Sequence, residues 1–446
     1  MPLQFRKVRI GFVNLILDFL QGQDVAVRYS SEAQEHLRSR LNAEVVEFPE
    51  PVAKREQAAR AWKLFKARDV DAVILFNGTF NTGELTAEII RNLECPFALW
   101  GIGELALASR NFTGSMVGVM AAGALFKNFD KPFSFIYGPV SDPQAQRRLG
   151  AFTGAVRAIA YLREATIGVI GMRPDGFQIA GFDELAVKKV FGTEITKISM
   201  YEFTNTIRAV EEKDVDRDME IQKKIFDIPA KGLTEARGLS RVYLAVKKVA
   251  QERNLQSYAP DCWPELRDND HTPICPANGR MNAEGVMASC ECDVDGSLTL
   301  MLEYALSGTT PWMADFVNLI QDNDTLLFWH CGNGPHDLSN GKPKIEQVFG
   351  GPAQVHSLKA GTATVCRLNS IRGEFTMHAG VGEVVAGEPL LKGTNLTIRM
   401  KGGNMKFVES LLANGIPHHN ALVYGNYLEE LKEFASLMKI PIVIQE

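Results

Sequence analysis

The sequence predicts an α/β protein: two Rossmann-like parallel-sheet domains followed by a mixed, β-rich C-terminal domain. Three observations predict it. Short apolar runs alternate with helix-like stretches from the start of the chain to about position 330, the pattern of a doubly wound parallel sheet. A long helical stretch, 142–163, interrupts that alternation once, and a second series begins at Thr166. Beyond position 340, short alternating runs punctuated by Gly and Asn take over, which reads as an antiparallel, barrel-like segment. The expected domains are therefore 1–164, 165–340 and 341–446.

In the first series, strands are expected at 8–13, 44–48, 72–76, 96–100 and 133–137, with helices at 31–41, 52–68, 84–93 and 115–126. The run AVILF at 72–76 is apolar at every position, as in a strand buried on both faces. Loops NGTFNTGE (77–84), GIGE (101–104) and NFTGS (111–115) follow strand ends, where open α/β sheets bind ligands. Asn77, Asn81 and Asn111 are candidate ligand contacts there, although Asn and Gly are also ordinary turn residues. GIGE lacks the third Gly and the distant acid of a dinucleotide fingerprint.

In the second series, strands are expected at 166–170, 194–198, 257–262, 288–291 and 326–329, with helices at 182–191, 203–218, 234–253 and 282–287. The C-terminal part should hold strands at 362–368, 374–378, 382–385 and 396–400. A helix at 407–414, a strand at 419–424, a helix at 427–438 and a last strand at 441–444 follow.

Composition narrows the function classes. With 46% hydrophobic and 23% charged residues the chain is that of a soluble globular protein. A net charge of −5 argues against nucleic acid as the main partner. No run of about 18 apolar residues exists, so no membrane span is expected. The apolar N-terminal stretch contains Arg9 and Gly11 and no small-residue cleavage site follows, so it reads as a first strand and not a signal peptide. Seven scattered cysteines, an odd number, suggest free thiols in a reducing cytoplasm.

The chemistry concentrates between 289 and 333. Glu291 stands between Cys290 and Cys292. The helix-like run 298–306 follows, Asp315 closes PWMAD, and His330 ends the strand at 326–329. Two more imidazoles, His418 and His419, stand near the C-terminus. Two carboxylates and a His suit a hard or borderline divalent ion such as Mn²⁺ or Mg²⁺. Glu291 and Asp315 are candidates both for ligands and for proton carriers. On a strand, His418 and His419 would point to opposite faces, so only one is expected to be a ligand. Read singly, each feature has a plainer reading. Asp293, Asp295 and Gly296 offer helix-start turn chemistry. The segment DVDG resembles a calcium-loop opening without its closing Glu, and CxC with a remote Cys331 is poor zinc spacing.

Taken together, CECDVDGSLTLMLEYALSG, PWMADFV, FWHCGN, HHNALVYG and the upstream CWPEL (262–266) resemble the L-fucose isomerase-like family, and more loosely the L-arabinose isomerases. The resemblance covers roughly the last 190 residues closely and the first half only in its βα character. It implies a metal-dependent aldose–ketose isomerase with Mn²⁺, or another divalent ion such as Mg²⁺ or Co²⁺. Glu291 and Asp315 would be metal ligands with acid–base duty, His419 the favoured imidazole, and His330 a fourth ligand or a substrate hydrogen-bonding group. It also implies a homo-oligomer, hexamer or trimer, with sites near subunit contacts. This chain is shorter than fucose isomerases, which widens the expected substrate to related monosaccharides, including a C6-modified hexose such as sulfoquinovose.

Substrate contacts are expected from Trp263, Trp312, Trp329 and Asn333, because aromatic faces pack on sugar C–H groups and amides pair with hydroxyls. Arg173 and Arg280 are candidates for an anionic substituent. Two other readings use the same features. One is a two-lobed sugar-binding protein, which needs no metal. The other is a metal-dependent epimerase or aldolase.

Overall fold

A computed structural model describes residues 5–20, 22–104, 113–269 and 273–446. Asn111 lies outside the described residues. The chain divides into two compact units, one of residues 5–160 with 429–440, the other of residues 161–428 with 441–446.

The first unit is built on β1 (Arg9–Leu15), β2 (Glu44–Glu47), β3 (Ala72–Asn77), β4 (Phe97–Gly101) and β5 (Ser134–Tyr137). They form one parallel sheet in the order β2-β1-β3-β4-β5. The central strand β3 is buried at all six positions, as its uninterrupted apolar run requires. Phe65, Leu75, Phe97 and Phe126 belong to the core around it. The late helix Leu428–Met438 packs with this unit for most of its length. Ser134 hydrogen-bonds Glu433 there, and Lys439 pairs with Asp130 at 2.7 Å.

The second unit contains two sheets. Strands β6 (Thr166–Ile170), β7 (Glu194–Ile198), β8 (Ser257–Pro260) and β9 (Met287–Ala288) are parallel, in the order β7-β6-β8-β9. The other sheet holds β10 (Trp312–Ile320), β11 (Thr325–His330), β12 (Lys344–Val348), β13 (Gly351–Ser357), β14 (Gly361–Ile371), β15 (Glu374–Val385), β16 (Thr394–Met400), β17 (His419–Tyr424) and β18 (Ile442–Gln445). Six of these, β16-β11-β10-β17-β14-β15, close on themselves through a second pairing of β15 with β16. All six pairings are antiparallel, so the set is a barrel. Trp312, Phe328, Val365, Ile398 and Leu422 belong to its apolar core.

Several sequence expectations change here. The stretch 203–218 is divided between helices Met200–Arg208 and Glu212–Ile225, and the helix expected at 282–287 lies at Cys275–Ala283. The strand at 326–329, read with the second parallel series, pairs into the barrel, because only a four-residue connection separates β10 from β11 and so short a link joins strands antiparallel. The runs 374–378 and 382–385 are one strand, β15, and the intervening glycines are part of it. At Gly382 a Cβ would stand 2.6 Å from the Arg399 carbonyl oxygen, so a side chain there would wedge open the pairing that closes the barrel.

Helix Val294–Ser307 packs against β8 and β9 of the parallel sheet and against β14 and β17 of the barrel, and nearly all of it is buried. That explains its lack of a polar face. It also traps Glu303, which is 1% exposed and has no hydrogen-bond partner among the described residues. Burial pushes the Glu303 carboxyl well above its ordinary range. Replacing it by the apolar Met should therefore stabilise the protein by about 1–3 kcal/mol. A carboxyl whose folded pKa is raised loses stability as pH climbs from the unfolded pKa through the folded one. The gain of Glu303→Met in urea titrations should then be larger at mildly alkaline than at mildly acidic pH. A destabilised variant, or a gain independent of pH, would contradict the assignment.

Candidate active site

The chain leaves β9 through a tight turn that carries Glu291. The Asp293 N–H donates to the Cys290 carbonyl at 2.9 Å, and the Cys292 N–H to that of Pro260, at the end of β8, at 3.2 Å. Both central residues are left-handed, Glu291 with φ 55° and Cys292 with φ 57°, a backbone that Gly or Asn usually occupies. Each such residue costs on the order of 1–3 kcal/mol. The surrounding fold sustains that strain where it aims a carboxylate.

Asp293 next in the chain has three duties. Its side chain caps helix Val294–Ser307 by accepting the Gly296 N–H at 2.9 Å. It takes a bidentate pair from Arg367 of β14 at 2.6 and 2.9 Å. Its Oδ2 also lies 2.9 Å from His419 Nδ1. All three side chains are buried. Burial alone would raise the Asp293 pKa, but Arg367 and His419 hold it well below the usual carboxylate range. An ionised carboxylate only accepts, so His419 Nδ1–H donates and the neutral ring turns a bare lone pair outward on Nε2. Asp295, the other acid of DVDG, accepts from the Ser370 N–H and hydroxyl at 2.7 and 2.8 Å, so the segment forms no calcium loop.

Asp315 of β10 and His419 of β17 are directly opposite in register. Trp312 and Leu422, paired on the same two strands, belong to the apolar core, so the odd offset sends Asp315 and His419 to the other face. His419 Nε2 is 3.4 Å from Asp315 Oδ1 and 3.6 Å from Glu291 Oε2. These three atoms are buried and have no hydrogen-bond partner among the described residues. A lone pair facing two carboxylate oxygens is a repulsive set unless a cation joins them. Ligand atoms around one small divalent ion, bonded at about 2.1 Å, stand roughly 3–4 Å apart, and this donor set fits that spacing and chemistry. His418 Nε2 also reaches in, 3.6 Å from Asp315 and 3.9 Å from Glu291. The expectation that only one of the two imidazoles can face the site is corrected here. Strand β17 begins at His419, so strand alternation does not extend back to His418.

His330 lies beside this set, its ring 6.0 Å from that of His419, and it groups with Asp315 and His419. Its Nδ1 accepts the Cys331 N–H at 2.9 Å. That leaves Nε2 facing the set, buried and without a partner among the described residues, as the ring atom that would meet a ligand. Next to it is a cavity of about 250 Å³, lined among others by Phe177, Trp263, Arg267, Glu291, His330 and Phe349. Small-molecule sites run from about 300 Å³ upward, so this volume suits a small ligand.

The remaining expected contacts divide. Trp263 lines the cavity, with Phe177 edge-on at 5.9 Å. Trp329 stacks on His330, but its indole N–H is committed to the Lys392 carbonyl at 2.7 Å. Trp312 and Asn333 do not line it. Both are fully buried and satisfy each other, the Trp312 N–H donating to Asn333 Oδ1 at 2.8 Å. Arg280 is consumed by a bidentate pair with Asp218 at 2.8 and 2.6 Å and lies 3.4 Å over the Tyr243 ring, so it has no fork left for an anion. Asn77 is fully buried in the first unit, donating to the Leu75 carbonyl and accepting from Asn81. Arg173 is exposed in the loop after β6. Sequence reasoning missed Phe177, Arg267 and Arg367, and read Asp293 only as helix-start turn chemistry, a role it also has. Of the three missed, only Arg267, one residue beyond CWPEL, carried a local signal.

The fold and the site define an α/β–barrel protein with a carboxylate–histidine centre suited to a divalent ion. The model of the L-fucose isomerase C-terminal domain matches residues 330–445. A sulfoquinovose isomerase of Priestia aryabhattai is 24% identical, over 94% of this chain and 95% of its own. One of Alkalicoccus urumqiensis is 25% identical over 84% and 86%. An L-arabinose isomerase of Shouchella clausii is 20% identical over 94% and 91%. These similarities support the L-fucose/L-arabinose isomerase superfamily for this chain.

If Asp293 sets the His419 tautomer, Asp293→Asn should weaken Mn²⁺ binding by about 10–100-fold while circular dichroism stays native. Unchanged affinity in the folded variant would show that His419 is oriented by something else.

Proposed function

We propose that the protein is a divalent-metal-dependent aldose–ketose isomerase acting on a monosaccharide, with Mn²⁺ as the ion. The observation that carries this reading is the meeting of three unpartnered buried acceptors, Glu291 Oε2, Asp315 Oδ1 and His419 Nε2, beside a sugar-sized cavity. The relatives' names support the reaction class. Glu291, Asp315 and His419 are the proposed ligands, with His418 as a further one.

When bound, the ion polarises the sugar carbonyl and acidifies the neighbouring hydroxyl. Glu291 and Asp315 form the proposed acid–base pair. One carboxylate takes the C2 proton of the aldose while the other passes the O2 proton to O1, and the C1–C2 double bond forms as a cis-enediolate. The first carboxyl group then returns a proton to C1 and the C2 carbonyl forms. His330 Nε2 is positioned to meet a sugar oxygen. Phe177 and Trp263 offer rings to sugar C–H faces. Arg267 is the cation on this cavity wall, its guanidinium 5.4 Å over the Trp263 ring; Nε and Nη2 pair with the exposed Asp268 at 2.7 and 3.2 Å, and Nη1 is the donor proposed to meet a ligand. It supports a substrate with an anionic group, such as the C6 sulfonate of sulfoquinovose, in the role first considered for Arg280.

Three broader assignments belong to the same proposal. The parallel sheets are Rossmann-like layers, and the working form is a homo-oligomer, a reading that exposed apolar side chains such as Leu185, Tyr201 and Leu412 support. Seven free cysteines support a cytoplasmic setting. No helix among the described residues is long and apolar enough to cross a membrane.

A panel of aldoses, sulfonated and plain, tests the reading. Chelated protein should lose turnover and recover it with Mn²⁺. Full activity in metal-free protein would sink the proposal.

The chemistry is tested in D₂O. A proton held on a carboxyl group exchanges with solvent, so deuterium should appear on C1 of the ketose or C2 of the recovered aldose. Its absence at full equilibrium would leave Glu291 and Asp315 as ligands only.

A further inference from the structure

Four thiols adjoin the proposed centre, and the proton transfers above use none of them. Cys262, Cys275 and Cys331 line the cavity together with Glu291 and His330. Cys290, fully buried, precedes Glu291 in the turn. Cys262 and Cys290 leave the ends of the adjacent parallel strands β8 and β9, and their Sγ atoms stand 3.2 Å apart. A disulfide needs about 2.05 Å, so the two sulfurs must close by about 1.1 Å.

We infer that Cys262 and Cys290 form a reversible disulfide on exposure to a peroxide, and that this bond displaces Glu291 from the metal centre. Cys262 borders the cavity and is 8% exposed, whereas Cys290 is 0% exposed, so the oxidant meets Cys262 first. Cys262 attacks one peroxide oxygen as its thiolate, the O–O bond breaks, the leaving hydroxide takes up the proton given by the thiol and departs as a first water, and a sulfenic acid forms. The Cys290 thiol then attacks that sulfur, the S–S bond forms and a second water leaves. Two electrons pass from the sulfurs to the peroxide, and a dithiol reverses the step.

The turn transmits the change. Glu291 and Cys292 are both left-handed, and Asp293 is pinned by Arg367 and His419, so the segment has no slack on that side. A pull on Cys290 falls on Glu291. The bond itself does not depend on the reaction proposed above. Its effect on turnover does.

The test uses the full chain, with hydrogen peroxide as oxidant. Alkylation after denaturation and peptide mass mapping should find Cys262 linked to Cys290, two hydrogens lighter and restored by dithiothreitol. Mn²⁺ affinity, read from the EPR signal of free Mn²⁺, should fall by about tenfold or more in the oxidised protein and return on reduction. Turnover should follow it. Cys290→Ala, whatever its starting affinity, should no longer respond to peroxide. No link, a link to Cys275 or Cys331 instead, or a Cys262–Cys290 link that leaves Mn²⁺ affinity unchanged would overturn the inference. Should no aldose be turned over, the peptide map and the Mn²⁺ titration still decide it.

Discussion

The buried pair between Arg367 and Asp293 is the interaction on which the site depends. Its two hydrogen bonds, at 2.6 and 2.9 Å, tie β14 of the barrel to the N-terminus of helix Val294–Ser307. Because Arg367 keeps Asp293 ionised, Asp293 accepts from His419 and fixes which nitrogen of that ring is bare. Remove the guanidinium and a buried carboxylate is left unpaired, a loss of about 3–5 kcal/mol in comparable sites. The same removal would loosen the helix cap, the barrel contact and the imidazole together.

The three donor atoms come from two different sheets. Glu291 follows a parallel strand, and Asp315 and His419 sit on neighbouring barrel strands. Helix Val294–Ser307 spans the distance and contacts both sheets, so its burial is a requirement of the site as well as of the core. Register matters equally. A one-residue slip of β10 against β17 would send Asp315 to the apolar side of the barrel. Closure of the barrel at β15–β16 leaves β10 and β17 no free edge along which to slip.

Local rules are broken where the donors meet. Two successive non-glycine residues are left-handed, and three polar atoms lie buried without protein partners. Other buried groups find partners for most of their polar atoms: Arg280 pairs with Asp218, Trp312 with Asn333 and Asp295 with Ser370. Consecutive left-handed residues and converging unpartnered acceptors thus coincide at the turn after β9, where the fold gives up stability for chemistry. Glu303 is a buried acid distant in role from that place, and simple apolar enclosure accounts for its raised pKa.

By itself the sequence determined the residue types of the centre and the alternation that builds the parallel sheets. The apolar run of β3 could be nothing but a fully buried strand, and Glu291, Asp315 and the His418–His419 pair stood out as a set by chemistry and spacing. Tertiary structure decided which of those groups are free to act. Trp312, Asn333 and Arg280 look like sugar contacts in one dimension, yet partners 21, 20 and 62 positions away use up their polar atoms. Arg367, 74 positions from Asp293, has no local signature at all. Strand propensity and periodicity are local properties, legible over a few residues. Barrel closure, strand register and the pairing of buried charges are settled only when distant segments compete for the same partners, and no single stretch of the chain records that outcome.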